Sequence, residues 1–553
     1  MNLLGKHKLM NYGFIFDIFG NMIRNLVSFF LPLFLLSLAL DAVAQNDLNS
    51  DIDKLEKFVK SLDQNYVDHV ETKPIIEAGI KRMLEELDPH SVYFTKEAYN
   101  RANEPLKGKY KGIGVRFLMI EDTMTILDVI AGGAAYNAGI RVGDKILSLN
   151  GDTIAGRSIN SSSVVRKIKE DNSAVTQMEF IRRNSTGDSF NSIELTKSEV
   201  EISSVPSYFM MDNRTGYIKL ERFSSSSLSD VREGMDFIKK NKAKNLVLDL
   251  RGNGGGYLNV AIKIVDEFLE DRKLIVYTEG EHQTKRETFA TSGGRFVQGD
   301  LYVLIDDNSA SASEIFSGAI QDWDRGLIVG RRSYGKGLVQ RTIEFNDGSA
   351  MRLTISRYYT PTGRSIQRPY KEGVNAYKQD LRNRRVSGEL YSADSIHIND
   401  SLIYCTPKNR KVYGGGGIIP DVFVPLDTSK IDDFLRSIQR NALIEGFALK
   451  MYDKTSENIK REFSDVSVFL DEYKFDESHT EAFRAYADRR GFSTEDETFE
   501  VNLPYINERV KIDLSRFVYG YRSYYEALAY FDPDVNAVRE EIERGTYKEL
   551  GLR

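Results

Sequence analysis

Gly335-Lys336-Gly337 holds a lysine in a tight, glycine-flanked turn, downstream of the small-residue run Ser309-Ala310-Ser311-Ala312-Ser313-Glu314. A serine hydroxyl is a poor nucleophile until a base takes its proton. A lysine is that base only when neutral, which requires burial to lower its pKa. Glycines on both sides of Lys336 let the backbone pack closely and exclude water. After the serines, Ile315, Phe316, Ala319, Ile320 and Trp323 recur at helical spacing. The serines therefore open a helix, whose N-terminus favours negative charge developing beside them. Leu327-Ile328-Val329 reads as a short strand that returns the chain towards Lys336. The chemistry on offer is attack by a lysine-activated serine.

The elements that must hold these groups lie within 201–430. Asn245-Leu246-Val247-Leu248-Asp249-Leu250 and Leu301-Tyr302-Val303-Leu304-Ile305 are almost continuously apolar, as strands are when both faces are covered. The glycine-rich loop Arg251 to Gly256 follows the first of them, then a helical pattern at Leu258, Ala261, Ile264, Val265, Phe268 and Leu269. Alternating strands and helices predict an α/β layer fold. Two nucleotide-binding readings fail. Gly330 to Lys336 fits most of a phosphate loop, but Gly337 stands where Ser or Thr must hold magnesium. Gly252-x-Gly254 has Tyr257 where a dinucleotide fingerprint needs its third glycine.

The serine run, the Gly-Lys-Gly turn and Gln340 four residues past Lys336 resemble the signature of the C-terminal processing (tail-specific) serine proteases. The resemblance implies a crotonase/Clp-like α/β core with Ser311 as nucleophile, Lys336 as general base and Gln340 orienting the lysine. Asp322 matches an accessory acid that some members use. Asp249 to Gly256 resembles the family's oxyanion loop, with Gly254 in place of a proline. This implies that the backbone amides of Gly255 and Ala312 receive the oxyanion. Leu87-Asp88-Pro89-His90-Ser91 resembles a turn ahead of the family's PDZ domain, and His90 by itself reads as structural. Met351 to Gln367 and Gly414 to Pro425 are similar to the segments that follow the catalytic lysine and close the core. No metal or cofactor is implied.

Residues 106–200 resemble a PDZ domain. Gly112-Ile113-Gly114-Val115 matches its carboxylate-binding loop, and Gly139 to Gly151 its strand-and-turn segment. Val164, Val165 and Ile168 lie on a helix that would wall the peptide groove. A PDZ domain adds its peptide as an extra strand and holds the terminal carboxylate in backbone N–H groups, so the implied partners are proteins or peptides with free C-termini.

Bulk composition excludes other classes. The chain has 553 residues and a net charge of −6 without a dense basic block, which argues against nucleic acid. A single cysteine, Cys405, permits neither an intramolecular disulfide nor a cysteine-based zinc site. The histidines, at 7, 69, 90, 282, 397 and 479, form no zinc-protease pattern.

At the start, Lys6, Lys8 and Arg24 precede a mostly apolar run, Leu26 to Leu40, and Ala42-Val43-Ala44. This is the layout of a secretory signal at 1–44 with the mature chain beginning at Gln45, in the periplasm or cell envelope. An uncleaved anchor is the alternative, and it would be the chain's membrane contact. Residues 45–105 show helical faces at Leu55, Phe58, Val59 and Leu62 and at Ile76, Ile80, Met83, Leu84 and Leu87. Residues 371–411 read as a polar inserted loop. Residues 431–553 read as a helical region with a packing or homodimerisation surface. The whole is expected to be a multidomain α/β protein, with a PDZ domain and a protease core between helical N- and C-terminal regions. The expected activity is endopeptidase cleavage of secreted or envelope proteins near their C-termini. A PDZ-bearing binding scaffold with an inactive core is the competing reading, against which the intact Ser311–Lys336 pair argues.

Overall fold

The computed structural model describes residues 48–170, 173–184, 187–427, 432–494 and 497–552, so the expected signal and its cleavage site lie outside the described residues. The chain divides into two units, Met1–Leu84 and Glu85–Arg553. In the first, residues 48–65 and 72–84 are helical, and Leu55, Phe58, Ile76 and Met83 are exposed. Among the described residues no helix is long and apolar enough to cross a membrane.

Near the start of the second unit lies a helix that borders the site, α1 (Lys96–Asn103). The PDZ region follows. Its strands β1 (Val115–Ile120), β2 (Thr123–Val129), β3 (Lys145–Leu149), β4 (Val175–Asn184) and β5 (Gly187–Thr196) lie in that order in one sheet, and α2 (Ser161–Glu170) touches β1. β1 is an edge strand. Val115 pairs with Val129 on β2, and among the described residues no strand takes the other edge. Ile113, Met124, Ile126, Ile146 and Val164 form the PDZ core.

The expected protease core is built on a sheet of β6 (Ser207–Met210), β7 (Thr215–Lys219), β8 (Asn245–Asp249), β9 (Asp300–Ile305), β10 (Leu327–Gly330) and β11 (Val422–Phe423). β6 is antiparallel to β7, and the remaining pairs are parallel. The two apolar runs read from the sequence are its central neighbours, with Val247 opposite Tyr302. Successive side chains on a strand point to opposite faces, and here both faces are covered. Leu246, Leu248, Val303 and Ile305 pack with Val231 and Ile238 of α3 (Ser227–Lys240), Ala261 and Ile264 of α4 (Leu258–Asp266), and Phe316 and Ile320 of α5 (Ala312–Asp322). Val247, Tyr302, Leu304 and Val329 pack with Val535 and Val538 of α6 (Pro533–Arg544) and with Tyr547. Each such apolar side chain contributes roughly 1.5–3 kcal/mol of transfer free energy. The end of the chain is therefore one layer of the core.

A second sheet carries the lysine. Strands Leu338–Glu344 and Ala350–Tyr359 form an antiparallel pair, and Val92–Phe94 pairs with the second of them. The segment expected as an inserted loop contains a helix, Val374–Val386, and a short hairpin of Ile403–Cys405 with Lys411–Tyr413. The helix escapes a periodicity search because it is polar and buries only Tyr377 and Arg384. Within 432–531, Phe447, Phe469, Phe483 and Phe517 form an apolar cluster that also takes in Ile120 and Leu127 of the PDZ sheet. The Arg116 guanidinium lies 3.7 Å from the centre of the Tyr521 ring.

Candidate active site

β9 ends in a turn that delivers Ser311 to the N-cap of α5. Ser309 Oγ donates to Leu250 O at 2.9 Å, and Asp306 Oδ1 accepts Ser309 N–H and Gly252 N–H at 3.0 and 2.9 Å. The turn is thereby tied to the end of β8. Ser311 has φ 56° and ψ −110°, a conformation that costs a non-glycine residue roughly 1–3 kcal/mol and persists only when its surroundings fix it.

Those surroundings are organised by Glu314, which is fully buried. Its carboxylate accepts Ser311 N–H at 2.8 Å, Ser333 Oγ–H at 2.5 Å, Gly335 N–H at 2.6 Å and Lys336 N–H at 2.9 Å. One side chain thus joins the serine turn to the lysine turn. Tyr358 joins them again, its hydroxyl lying 3.1 Å from Ser311 O and 2.5 Å from Lys336 O. The Glu314 carboxyl is pushed up by burial, against the four hydrogen bonds that favour its charged form.

Lys336 lines a cavity of about 650 Å³ together with Ser311, Ala312 and Gly254 to Gly256. Its Nζ donates to Gln340 Oε1 at 3.0 Å, and Gln340 Nε2 donates to the His90 carbonyl. Gln340 is therefore held at both ends of its amide. Burial first, and the Arg352 guanidinium second, pull the lysine pKa below its ordinary value, while the Asp88 and Glu314 carboxylates oppose them. Arg352 lines the same cavity and donates to Asn103 Oδ1 on α1 at 2.7 Å. The His90 imidazole faces Tyr377, whose hydroxyl is 2.8 Å from Nε2. Burial, then the nearby Lys336 charge, lower His90 to about 4, so it is neutral at ordinary pH.

The glycine loop meets the serine from the opposite side. Asn253 is fully buried, and its carbonyl accepts Ala310 N–H at 3.0 Å and Ser313 Oγ–H at 2.8 Å. Gly255 has φ 101°, and a Cβ there would lie 2.8 Å from Ala310 O and 2.9 Å from Ser311 Cβ. Only glycine fits that approach. One feature departs from the expected oxyanion pair: Gly255 N–H donates to Asn253 Oδ1 at 2.9 Å, whereas Ala312 N–H has no acceptor among the described residues.

Asp322, the expected accessory acid, is tied to the chain that follows the second sheet. The acid ends α5 outside the cavity, in an ion pair with Arg364 at 2.7 Å, both side chains being 0% exposed. It also accepts Thr362 N–H and Oγ1–H at 3.0 and 2.8 Å. A carboxylate held this way braces the chain beyond the second sheet.

In the PDZ region, Gly112 closes a strand paired with Ser198–Glu201. The Ile113 side chain is in the PDZ core, and its carbonyl accepts Ala135 N–H at 2.8 Å. Gly114 has φ 79°, and a Cβ there would lie 3.2 Å from Gly133 Cα. Val115 opens the edge strand β1. The expected loop thus leads directly onto an open strand edge beside α2.

Sequence reasoning missed Glu314, Asn253, Tyr358 and Arg352 as parts of this site. A local signal existed only for Glu314, which stands three residues after Ser311 in the capping-box position. The other three meet the serine or the lysine only after folding.

Comparison with known proteins adds the following. The sequence pattern of peptidase family S41 matches residues 214–376, that of a PDZ domain 125–182, and that of a family of unknown function 434–520. A probable CtpA-like serine protease of Staphylococcus aureus (strain COL) is 31% identical over 322 residues, covering 57% of this chain and 63% of that protein. The chain therefore spans just under two thirds of the length of that relative. The carboxy-terminal processing protease CtpB of Bacillus subtilis (strain 168) is 30% identical over 369 residues, covering 66% of this chain and 74% of that protein. The solved structure of a photosystem II D1 C-terminal processing protease covers 70% of this chain and 89% of its own, at 23% identity and a TM-score of 0.36.

Proposed function

Because the chain belongs to the carboxy-terminal processing protease family, we propose that it is a serine endopeptidase with a Ser311–Lys336 dyad and a PDZ domain that receives its substrates' free C-termini. The observation that carries the dyad is the setting of Lys336. It shares one cavity with Ser311, burial and Arg352 lower its pKa, and Gln340 holds its Nζ.

In this reading neutral Lys336 takes the proton of Ser311 Oγ as the oxygen attacks the peptide carbonyl. The tetrahedral intermediate places its oxyanion at the N-terminus of α5, where Ala312 N–H is the available donor. Such a donor is worth about 3–4 kcal/mol in the transition state. Gly255 would contribute its amide only by releasing Asn253 Oδ1, and in the resting protein its part is to keep the space open. The Lys336 ammonium then protonates the leaving amine, and water repeats the sequence to free Ser311. Leu106, Leu258, Ile315, Leu338 and Val339 line the cavity, which supports a substrate segment with apolar side chains. A tail held on β1 would raise the effective concentration of the adjoining chain at Ser311. The pattern at 1–44 supports export to the cell envelope, and N-terminal sequencing of protein from its native envelope should begin at Gln45.

Fluorophosphonate labelling and casein cleavage by the purified chain test the dyad. Label on Ser311 and cleavage are expected in the wild type, and neither in Lys336→Ala. A wild-type protein that binds tail peptides but takes no label and cleaves nothing would leave the scaffold reading instead.

A further inference from the structure

The loops that carry the glycine turn and the lysine each begin with an arginine, and both arginines end on the same carboxylate. Arg251 follows β8 and leads into Gly252 to Gly256. Arg331 follows β10 and leads, five residues on, to Lys336. Arg331 Nη1 and Nη2 donate to Asp534 Oδ1 and Oδ2, each at 2.9 Å. Arg251 Nη1 donates to Asp534 Oδ2 at 2.9 Å and to the two oxygens of Asp532 at 2.8 and 2.9 Å. Asp534 is 4% exposed.

These acids are themselves fixed. Asp532 Oδ1 caps α6, accepting Asp534 N–H at 2.8 Å and Val535 N–H at 3.1 Å. Val535 and Val538 anchor the same helix in the apolar layer beneath β8, β9 and β10. On the loop side, Arg251 Nε and Nη2 also bind both oxygens of Asp249, and Lys219 Nζ donates to Arg251 O at 2.6 Å. A guanidinium presents its donors in a rigid fork, so pairing at both ends fixes its direction as well as its position. Losing one partner of a buried pair leaves the other charge uncompensated, which costs far more than an exposed pair does.

We infer that Asp534, helped by Asp532, is a positioning residue for the reaction: the end of the chain sets the distance between the oxyanion loop and the lysine turn. Neither acid touches the cavity around Ser311, so they act through Arg251 and Arg331. The inference rests on the proposed protease function for its kinetic consequences. Its structural half, that one carboxylate couples two loops far apart in sequence, stands independently of that function.

Asp534→Asn and Asp532→Asn in the full chain separate the two halves. Asparagine is as good an N-cap as aspartate, so Asp532→Asn removes charge and keeps the helix start. Hydrogen exchange is the readout that needs no activity. In Asp534→Asn the amides of both 251–256 and 331–337 are expected to exchange about tenfold faster or more, with the remainder of the β8–β10 layer unchanged. Faster exchange confined to 533–544, or spread evenly over the sheet, would mean that Asp534 only anchors its own helix. Kinetics give the second readout. On a tail-bearing peptide kcat should fall about tenfold or more in Asp534→Asn and about threefold in Asp532→Asn, with KM within about twofold. Arg331→Gln combined with Asp534→Asn should lose no more than the larger single change, because both break the Arg331–Asp534 pair. Wild-type kcat in a folded Asp534→Asn protein, or additive losses, would overturn the inference. Should Asp534→Asn not fold, the same exchange and kinetic comparisons on Asp532→Asn decide at Arg251 alone, and an unchanged 251–256 segment overturns it. An inactive wild type with the expected exchange pattern would count against the protease reading and for the linkage.

Discussion

Around Ser311 four donors converge on the one buried carboxylate of Glu314, while the outer edge of β1 in the PDZ sheet is paired to no strand among the described residues. The first arrangement is over-determined. Ser311 keeps a strained backbone because Glu314, Tyr358 and Asn253 each fix part of it. The second is permissive, since an extended peptide of almost any sequence satisfies a strand edge. The contrast teaches where each kind of specificity resides. Geometry at the cleft is bought with buried polar groups, and in the proposed function choice of substrate falls to the PDZ edge.

The sharpest way to break the comparison is at the reacting groups. Ser311→Ala and Lys336→Ala should each lower kcat by about 10³-fold or more while leaving the circular dichroism spectrum and the melting temperature close to wild type. Proteolysis near the wild-type rate in Lys336→Ala would remove the lysine from the mechanism.

Glu314→Gln tests whether the cleft is as over-determined as its bonds suggest. A glutamine keeps the shape but turns one acceptor into a donor facing buried N–H groups. Each unmet buried group costs about 1–3 kcal/mol. A lower melting temperature and roughly a hundredfold loss of kcat are expected. A variant that melts and turns over like wild type would show that the four bonds to Glu314 are dispensable.

On the permissive side the effects should be smaller and should fall on KM. Amidating the C-terminus of a substrate peptide should raise KM about tenfold and leave kcat within twofold, because only the carboxylate contact to the loop at Gly112 to Val115 is lost. Gly114→Val should act in the same direction, since its φ of 79° and the nearby Gly133 leave no room for a side chain. Equal KM for the free and amidated peptides would detach the PDZ domain from recognition of the terminus.

The smallest effect sharpens the electrostatics of the base. Lys336 must be neutral to accept a proton, so the rate should rise with pH through its lowered pKa and level off above it. Arg352 is a positive neighbour that lowers this pKa. In Arg352→Met the pKa should move back towards the ordinary lysine value, shifting the acid limb of log kcat/KM to higher pH. A limb that stays in place would mean that burial alone tunes the lysine.

Much of this was legible before folding. The serine run, the glycine-flanked lysine and Gln340 lie within one stretch whose local spacing reports its own helix, strand and turn. The runs at 245–250 and 301–305 announced strands with both faces covered, and the sheet has them side by side with Val247 and Tyr302 turned to one face and Leu248 and Val303 to the other. Even Glu314 stood in a recognisable capping position. The pairings that were not legible share a cause. Asp322 lies on the expected helix, but Arg364, which binds it, is 42 residues on by their numbers. Tyr377 and Arg384 sit on a helix too polar to show an apolar stripe, held by bonds such as Arg384 Nη1 to Ser333 O at 2.9 Å.

By itself, then, the sequence determined the family resemblance and most of the segments that become strands and helices, because hydrophobic period and turn chemistry are local properties. Only the tertiary structure decided that residues 533–552 close the second face of the sheet, that Gly255 gives its amide to Asn253, and that Arg251 and Arg331 meet at Asp534. The packing of 533–552 and the meeting at Asp534 depend on which buried groups find each other once hundreds of intervening residues have packed, and no spacing along the chain records that pairing.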